Sequence, residues 1–370
     1  MRNTNSLNLL IDKEDNTESG QNVDDWAIRS AYWNNKSQLD IPKRKRREKA
    51  KTGLVLTGVG LSISVDKGRL VLKDGNTHYP SKPITYTYFK GALDIPPRIV
   101  LVDGKGSITL DALDWMAEQK VDLIRLRYDG RFQSVSSASG YSADPEKVAW
   151  QRKTGASEKC RVEYAIKQIT SKIKETQFNL ENMLPDSPSR AKAIERCKTS
   201  LKELKITPPE TVSQLLAVEG LVAQGYFFAW RALKLSWKAE CNYPIQDDWK
   251  RFFSRSSLII LKGSPSNRRA THPINAMLNY AYGILESQVR IQTIADGYDP
   301  KIGLFHQTTK SDRYSFVYDQ MEPLRPIVDR EILRIVNEET FSGADFELQS
   351  DGVCRLNPEL ARTIVQRISA

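Results

Sequence analysis

The apolar periodicity of this 370-residue chain changes once, close to Pro145, and that change limits its fold more than any other feature. Upstream, from Leu54, short apolar runs are divided by Gly and Asp: Leu54-Val55-Leu56, Leu61 to Val65, Arg69 to Leu72 and Ile99 to Val102. Lys67-Gly68 and Asp74-Gly75-Asn76 supply tight turns between them, so the pattern predicts strands. Thr109 is placed to cap a helix carrying Leu113, Met116 and Ala117, after which Val121 to Leu126 returns as a strand that stops at Asp129-Gly130. Downstream, apolar residues recur at helical spacing almost throughout. Ile166, Ile169, Ile173 and Phe178 lie on a basic helix ending before Pro185, a charged helix spans about Ala191 to Lys205, and an apolar helix runs from about Val212 to Ala239. The expected class is α+β, a small β-rich N-terminal domain over residues 51–140 followed by a larger all-α domain over residues 141–370. The serine-rich stretch from Ser134 to Asp144 is the expected linker.

Residues 1–50 form a polar leader ending in the run Lys43 to Lys51, in which seven of nine positions are basic. Such a run is either a solvated arm or one that contacts phosphates. Trp26 and Trp33, seven residues apart, suit one short amphipathic helix that docks elsewhere. The net charge of +10 favours a polyanionic partner. Cys160, Cys197, Cys241 and Cys354 contain no C-x-x-C pair, which argues against a zinc knuckle. No apolar run approaches the ~18 to 20 residues that cross a bilayer, so no membrane association is expected and the chain reads as intracellular, with reduced thiols.

Three features point to chemistry. Leu215, Glu219, Val222, Ala223 and Tyr226 share one face of the apolar helix, which sets a carboxylate inside an apolar stripe. A carboxylate there must pair with Arg or Lys, bind a metal, take a proton or face a solvated groove. After Pro273, a natural first-turn residue, the helix from Ile274 to Glu286 sets Asn275, Asn279, Tyr282 and Glu286 in a polar stripe. Side-chain amides and phenols at that spacing hydrogen-bond a ligand or its supporting residues, or simply face solvent. Finally, His306 precedes a hydrophilic stretch, and Asp319 and Glu322 at i, i+3 present two carboxylates on one side of a helix that Pro323 must bend or end.

Together these features resemble the CRISPR-associated spacer-acquisition integrase, the family of the first-numbered Cas protein. Its pattern is a Glu in an apolar helix, an N-a-l-l-N-Y-x-Y helix, a His, and D-l-m-E-p-x-R-p-x-v-D. The corresponding residues are Glu219 in Val218-Glu219-Gly220, Asn275 to Tyr282, His306, and Asp319 to Asp329, with Gln320 in place of the usual apolar residue. The resemblance extends from about Leu54 to Ile335 and leaves the first 50 residues unmatched. It implies a β-rich domain that dimerises, an α-helical catalytic domain, a homodimer, and assembly with the small second-numbered Cas protein in a prokaryotic cytoplasm. It also implies a metal-dependent DNA endonuclease and integrase that inserts spacers into a CRISPR array, the 3′-hydroxyl of a DNA fragment attacking a phosphodiester. The partners are then double-stranded DNA, both spacer precursor and repeat array. The ligands carried over are Glu219, His306 and Asp319, a carboxylate and imidazole set suited to Mg²⁺ or Mn²⁺. Glu322 is expected as a weak or outer ligand and Arg325 as a group steadying the carboxylates or a phosphate. Asn275, Asn279 and Tyr282 are expected to support the ligands or face DNA, and His272 competes with His306.

Two other functions are compatible with the composition. A transposon-type integrase of the same fold would need an additional reader of DNA ends, and about 20 residues after Asp351 are too few for a C-terminal helix-turn-helix. A non-enzymatic basic DNA scaffold has no reason to place Glu219 on an apolar stripe.

Overall fold

The computed structural model describes residues 26–39, 45, 47–78, 82–137, 143–238, 243–255, 270–306, 314–350 and 352–369. Six strands make one sheet: β1 (Leu54–Asp66), β2 (Arg69–Lys73), β3 (Thr85–Tyr88), β4 (Arg98–Ile108), β5 (Asp122–Leu126) and β6 (Phe132–Ser136), in the order β3-β2-β1-β4-β5-β6. β4 lies parallel to both β1 and β5, and the remaining neighbours are antiparallel. Gly58 and Gly60, at φ of +90 and +83, take up the shifts in register between β1 and β4 that let one long strand replace the two short runs. The Thr109 hydroxyl accepts from Ala112 N at the start of a helix over Leu110–Glu118, as its position predicts. Residues 134–136 of the expected linker belong to strand β6, and 138–142 lie outside the described residues.

Both faces of the sheet are covered. Leu56, Ile99 and Leu101 turn toward Trp115 and Met116. Val55, Val100, Val102 and Ile124 turn to the other side, where they join the core of the helical region. The helices there are Pro145–Ala156, α4 (Glu158–Asn182), α5 (Pro188–Ile206), α6 (Val212–Ala229), α7 (Pro273–Ala295), α8 (Ser315–Met321), α9 (Arg325–Glu338) and α10 (Pro358–Ser369). Here α1 denotes Trp26–Leu39, α2 Leu110–Glu118 and α3 Pro145–Ala156. The second region is not all-α: Ser236–Trp237 pairs with Thr340–Phe341, and Phe346–Leu348 pairs with Cys354–Leu356. Trp237 leaves the helical path to stack on Trp249 at 6.3 Å and meet Phe341 and Phe346, which is why α6 stops short of Ala239. Where no run long and apolar enough to cross a bilayer was expected, Val212–Ala232 is one by length and composition alone. It packs against α4 and α5 and carries Glu219.

The leader contains a docked helix, though not docked on the sheet. Trp33 of α1 is fully buried, and its indole donates to Asp345 Oδ1 at 2.7 Å. Arg29 grips the same carboxylate with two donors at 2.8 Å each, and Thr363 of α10 donates to the Trp33 carbonyl. In the basic run, Ala50 N donates to the Leu93 carbonyl at 2.7 Å, and Lys45 lies 3.9 Å from Glu48. Lys43, Arg44 and Arg46 lie outside the described residues.

Removing one member of a buried ion pair leaves an uncompensated charge. Asp345→Ala is therefore expected to cost about 3–5 kcal/mol in urea unfolding, and deletion of residues 1–50 to lower Tm. A deletion that leaves Tm unchanged contradicts the docked role of α1.

Candidate active site

Lys172 is the element that draws the distant segments together. It lies on α4 between the buried Ile169 and Ile173, and its ammonium donates to Glu219 Oε1 on α6. The same ammonium donates to Glu322 Oε2 at 2.5 Å. Glu322 follows α8 directly, just where Pro323 ends that helix. Arg325 Nη1 lies 3.3 Å from the other oxygen of Glu322. Burial alone would raise the Glu322 carboxyl, but Arg325 and then Lys172 outweigh it and hold the group below its ordinary range. Glu219 therefore has a cationic partner in this structure, one of the fates open to a carboxylate on the apolar stripe.

Asp319, expected as a metal ligand, holds the loop of His306 in this structure. Its fully buried carboxylate accepts from Leu304 N at 2.5 Å and Phe305 N at 3.2 Å on Oδ2, and from His306 N at 3.0 Å on Oδ1. His306 Nδ1 also lies 3.0 Å from Oδ1. Both oxygens are thus committed to the loop that carries His306, and with Nδ1 as the donor, Nε2 keeps its lone pair for another partner. His306 lies within electrostatic reach of Glu322. Among the described residues, no three of His, Cys, Asp and Glu converge closely enough to hold a metal ion.

A cavity of ≈ 740 Å³ opens beside this cluster, with Lys172, Glu219 and Arg325 in its wall. One side comes from the sheet: the turn between β5 and β6 contributes Arg127 and Arg131, and the start of β6 contributes Phe132 and Gln133. That turn approaches α7 so closely that a Cβ on Gly130 (φ +75) would lie 2.4 Å from Tyr280 N, and one on Gly283 would lie 2.1 Å from the Gly130 carbonyl. Tyr280 closes the joint by donating its hydroxyl to the Tyr128 carbonyl.

The polar stripe of α7 supports this wall. Asn275 is buried and donates to the Ser254 carbonyl at 2.8 Å, so it tethers backbone and does not face DNA. Asn279 accepts from Arg255 at 2.8 Å, and the guanidinium groups of Arg255 and Arg325 lie 5.4 Å and 5.7 Å from the Tyr282 ring centroid. The Tyr282 hydroxyl donates to Asp329 Oδ1 at 2.5 Å. His272 is no rival to His306: its Nδ1 accepts from Ile274 N at 3.2 Å as the cap of α7, and burial holds its pKa down at about 4. Lys172, Arg255 and the Arg127 turn were not identified from the sequence. Lys172 sits on a basic helix where one more lysine gives no signal, and neither Arg255 nor the turn carried any.

The sequence pattern of the family described as CRISPR associated protein Cas1 matches residues 54–370, so α1 precedes the matched span. The CRISPR-associated endonuclease Cas1 1 of Archaeoglobus fulgidus is 26% identical over 328 residues, 84% of this chain and 86% of that protein. A casposase bound to an integration product has a similar structure, with TM-score 0.66 and 24% identity, covering 86% of this chain and 82% of the other. A Cas1 protein from Thermotoga maritima is similar with TM-score 0.61 at 16% identity, covering 85% of this chain and 88% of the other. These two structural likenesses establish the fold.

Burial raises the Asp329 carboxyl to about 6, although the hydrogen bond from Tyr282 and the charge of Arg255 pull it down. A folded value above the unfolded one means that stability is highest below about pH 4 and is lost as pH rises to about 6, by an amount on the order of 3 kcal/mol. Asp329→Asn keeps the acceptor for Tyr282 and removes the ionisation. Its Tm relative to the unmutated protein should therefore rise between pH 4 and 7, and a difference independent of pH contradicts the assignment.

Proposed function

Because the chain belongs to the Cas1 family, we propose that it is a metal-dependent DNA endonuclease and integrase that inserts spacers into a CRISPR array. The observation that carries this reading is a single cation position shared by Glu219 and Glu322, at the edge of an arginine-walled cavity. Two carboxylates that converge on one ammonium also suit a divalent cation, and hard oxygen donors with one imidazole fit Mg²⁺ or Mn²⁺. Glu219, Glu322 and His306 would hold the ion, drawing closer together on it than they stand in this structure. Asp319 would hold the loop of His306 and its Nδ1, leaving Nε2 for the metal, the usual arrangement of a carboxylate behind a ligating histidine. Bound there, the ion would lower the pKa of an attacking 3′-hydroxyl and neutralise charge on the phosphodiester.

The chain's own residues perform the remaining work. Arg325 holds Glu322 in its ionised form. Arg127, Arg131 and Arg255 line the cavity and balance the charge of an entering strand. Double-stranded DNA, both spacer precursor and repeat array, is the proposed substrate, and a homodimer assembled with the second-numbered Cas protein the proposed working form. The relative from Archaeoglobus fulgidus, named an endonuclease, supports the CRISPR reading. A transposon-type integrase would use the same residues on other DNA ends, and the likeness to the casposase fold keeps that second reading.

The test is to make Glu219→Ala, Glu322→Ala, His306→Ala and Asp319→Asn, check each fold by circular dichroism, and measure Mn²⁺-dependent cutting and joining of DNA. The first three should lose activity by more than about a hundredfold, while Asp319→Asn, acting through His306, should lose about 10- to 100-fold. Wild-type activity in His306→Ala or Glu322→Ala would remove the proposed site.

A further inference from the structure

Lys172 has a role that metal binding alone does not require. Its ammonium fills the position between Glu219 and Glu322, with only 14% of the side chain exposed, whereas the ion pair of Lys45 and Glu48 lies open to solvent. Without a cation between them, two carboxylates brought to one point repel each other. A divalent ion coordinated by both must take the place that the ammonium holds. Lysine is suited to giving up that place, because its charge sits at the end of a flexible four-carbon stem. It also has somewhere to go, since Lys172 lines the cavity beside Arg325.

We propose that Lys172 is a resident counter-ion of the Glu219–Glu322 pair, which competes with the divalent metal and, once displaced, turns its ammonium toward a DNA phosphate in the cavity. This rests on the metal site proposed above. Lys172 is a positioning residue in the metal-free protein, where it keeps the two carboxylates aligned. After displacement it adds positive charge to the phosphate site. Metal and DNA therefore bind with positive coupling, each lowering the cost of moving the same side chain.

The experiment measures Mn²⁺ affinity without DNA, by titration calorimetry on the full chain, for the unmutated protein and Lys172→Met. Competition predicts that Lys172→Met binds Mn²⁺ at least tenfold more tightly although it melts at a lower temperature without metal. A purely structural lysine would give the opposite result, because a loosened site binds metal more weakly. Equal or weaker Mn²⁺ affinity in Lys172→Met overturns the proposal for Lys172 alone. Absence of Mn²⁺ binding in both proteins overturns the metal site and, with it, the proposal. Should Lys172→Met fail to fold, acetylation of the unmutated protein gives the answer by peptide mass spectrometry. Saturating Mn²⁺ should increase labelling of Lys172 and leave the exposed Lys45 unchanged, and labelling of Lys172 that does not respond to Mn²⁺ overturns the proposal.

Discussion

One ammonium shared by two carboxylates from separate helices sets the geometry of the candidate site. Lys172 comes from α4, Glu219 from α6, and Glu322 from the break after α8. Each carboxylate would be costly beside apolar surface if it stood alone. Together with Lys172 and Arg325 they form a balanced cluster that a helix as apolar as α6 can carry. The packing of α4 on α6, through Ile169, Ile173 and Val222, puts the three groups within reach.

The sheet and the helices are parts of one structure around that cluster. The turn at Gly130 fits against α7 only because neither it nor Gly283 carries a Cβ, and so the β-rich region delivers Arg127 and Arg131 to a cavity otherwise built from helices. At the far end α10 returns to the sheet, where Arg362 donates to the Val55 carbonyl at 2.7 Å and pairs with Asp74. Helix α1 then locks onto α10 and the Asp345 turn. Joints at both ends of the sheet tie the β-rich region to the helical one.

Several parts of this arrangement were legible in the sequence. Glu219 stood out because an unpaired carboxylate on an apolar stripe is costly, and Pro323 marked the end of α8 because it lacks the amide hydrogen that the helix needs. Trp26 and Trp33 announced a docked helix. Lys172 did not stand out, since a lysine beside an isoleucine on a basic helix reads as a solvated charge until its partners from distant segments are seen. The proposed site gives Glu322 the place among the ligands that the sequence pattern assigns to Asp319. Spacing places both on one side of α8, but only the three-dimensional path of residues 304–306 shows that backbone amides already occupy both oxygens of Asp319. Strand β6 was hidden by its serines, which suit a loop and gain their place in the sheet only through pairing with β5.

The most direct test of the account is the position of Mn²⁺ in a crystal of the full chain, located by anomalous scattering. The account predicts one ion bonded to carboxylate oxygens of Glu219 and Glu322 and to His306 Nε2, at about 2.0–2.2 Å as hard oxygen and imidazole donors require, with Asp319 still bound to the loop of His306. An ion bonded directly to Asp319, while Lys172 remains between Glu219 and Glu322, would contradict it.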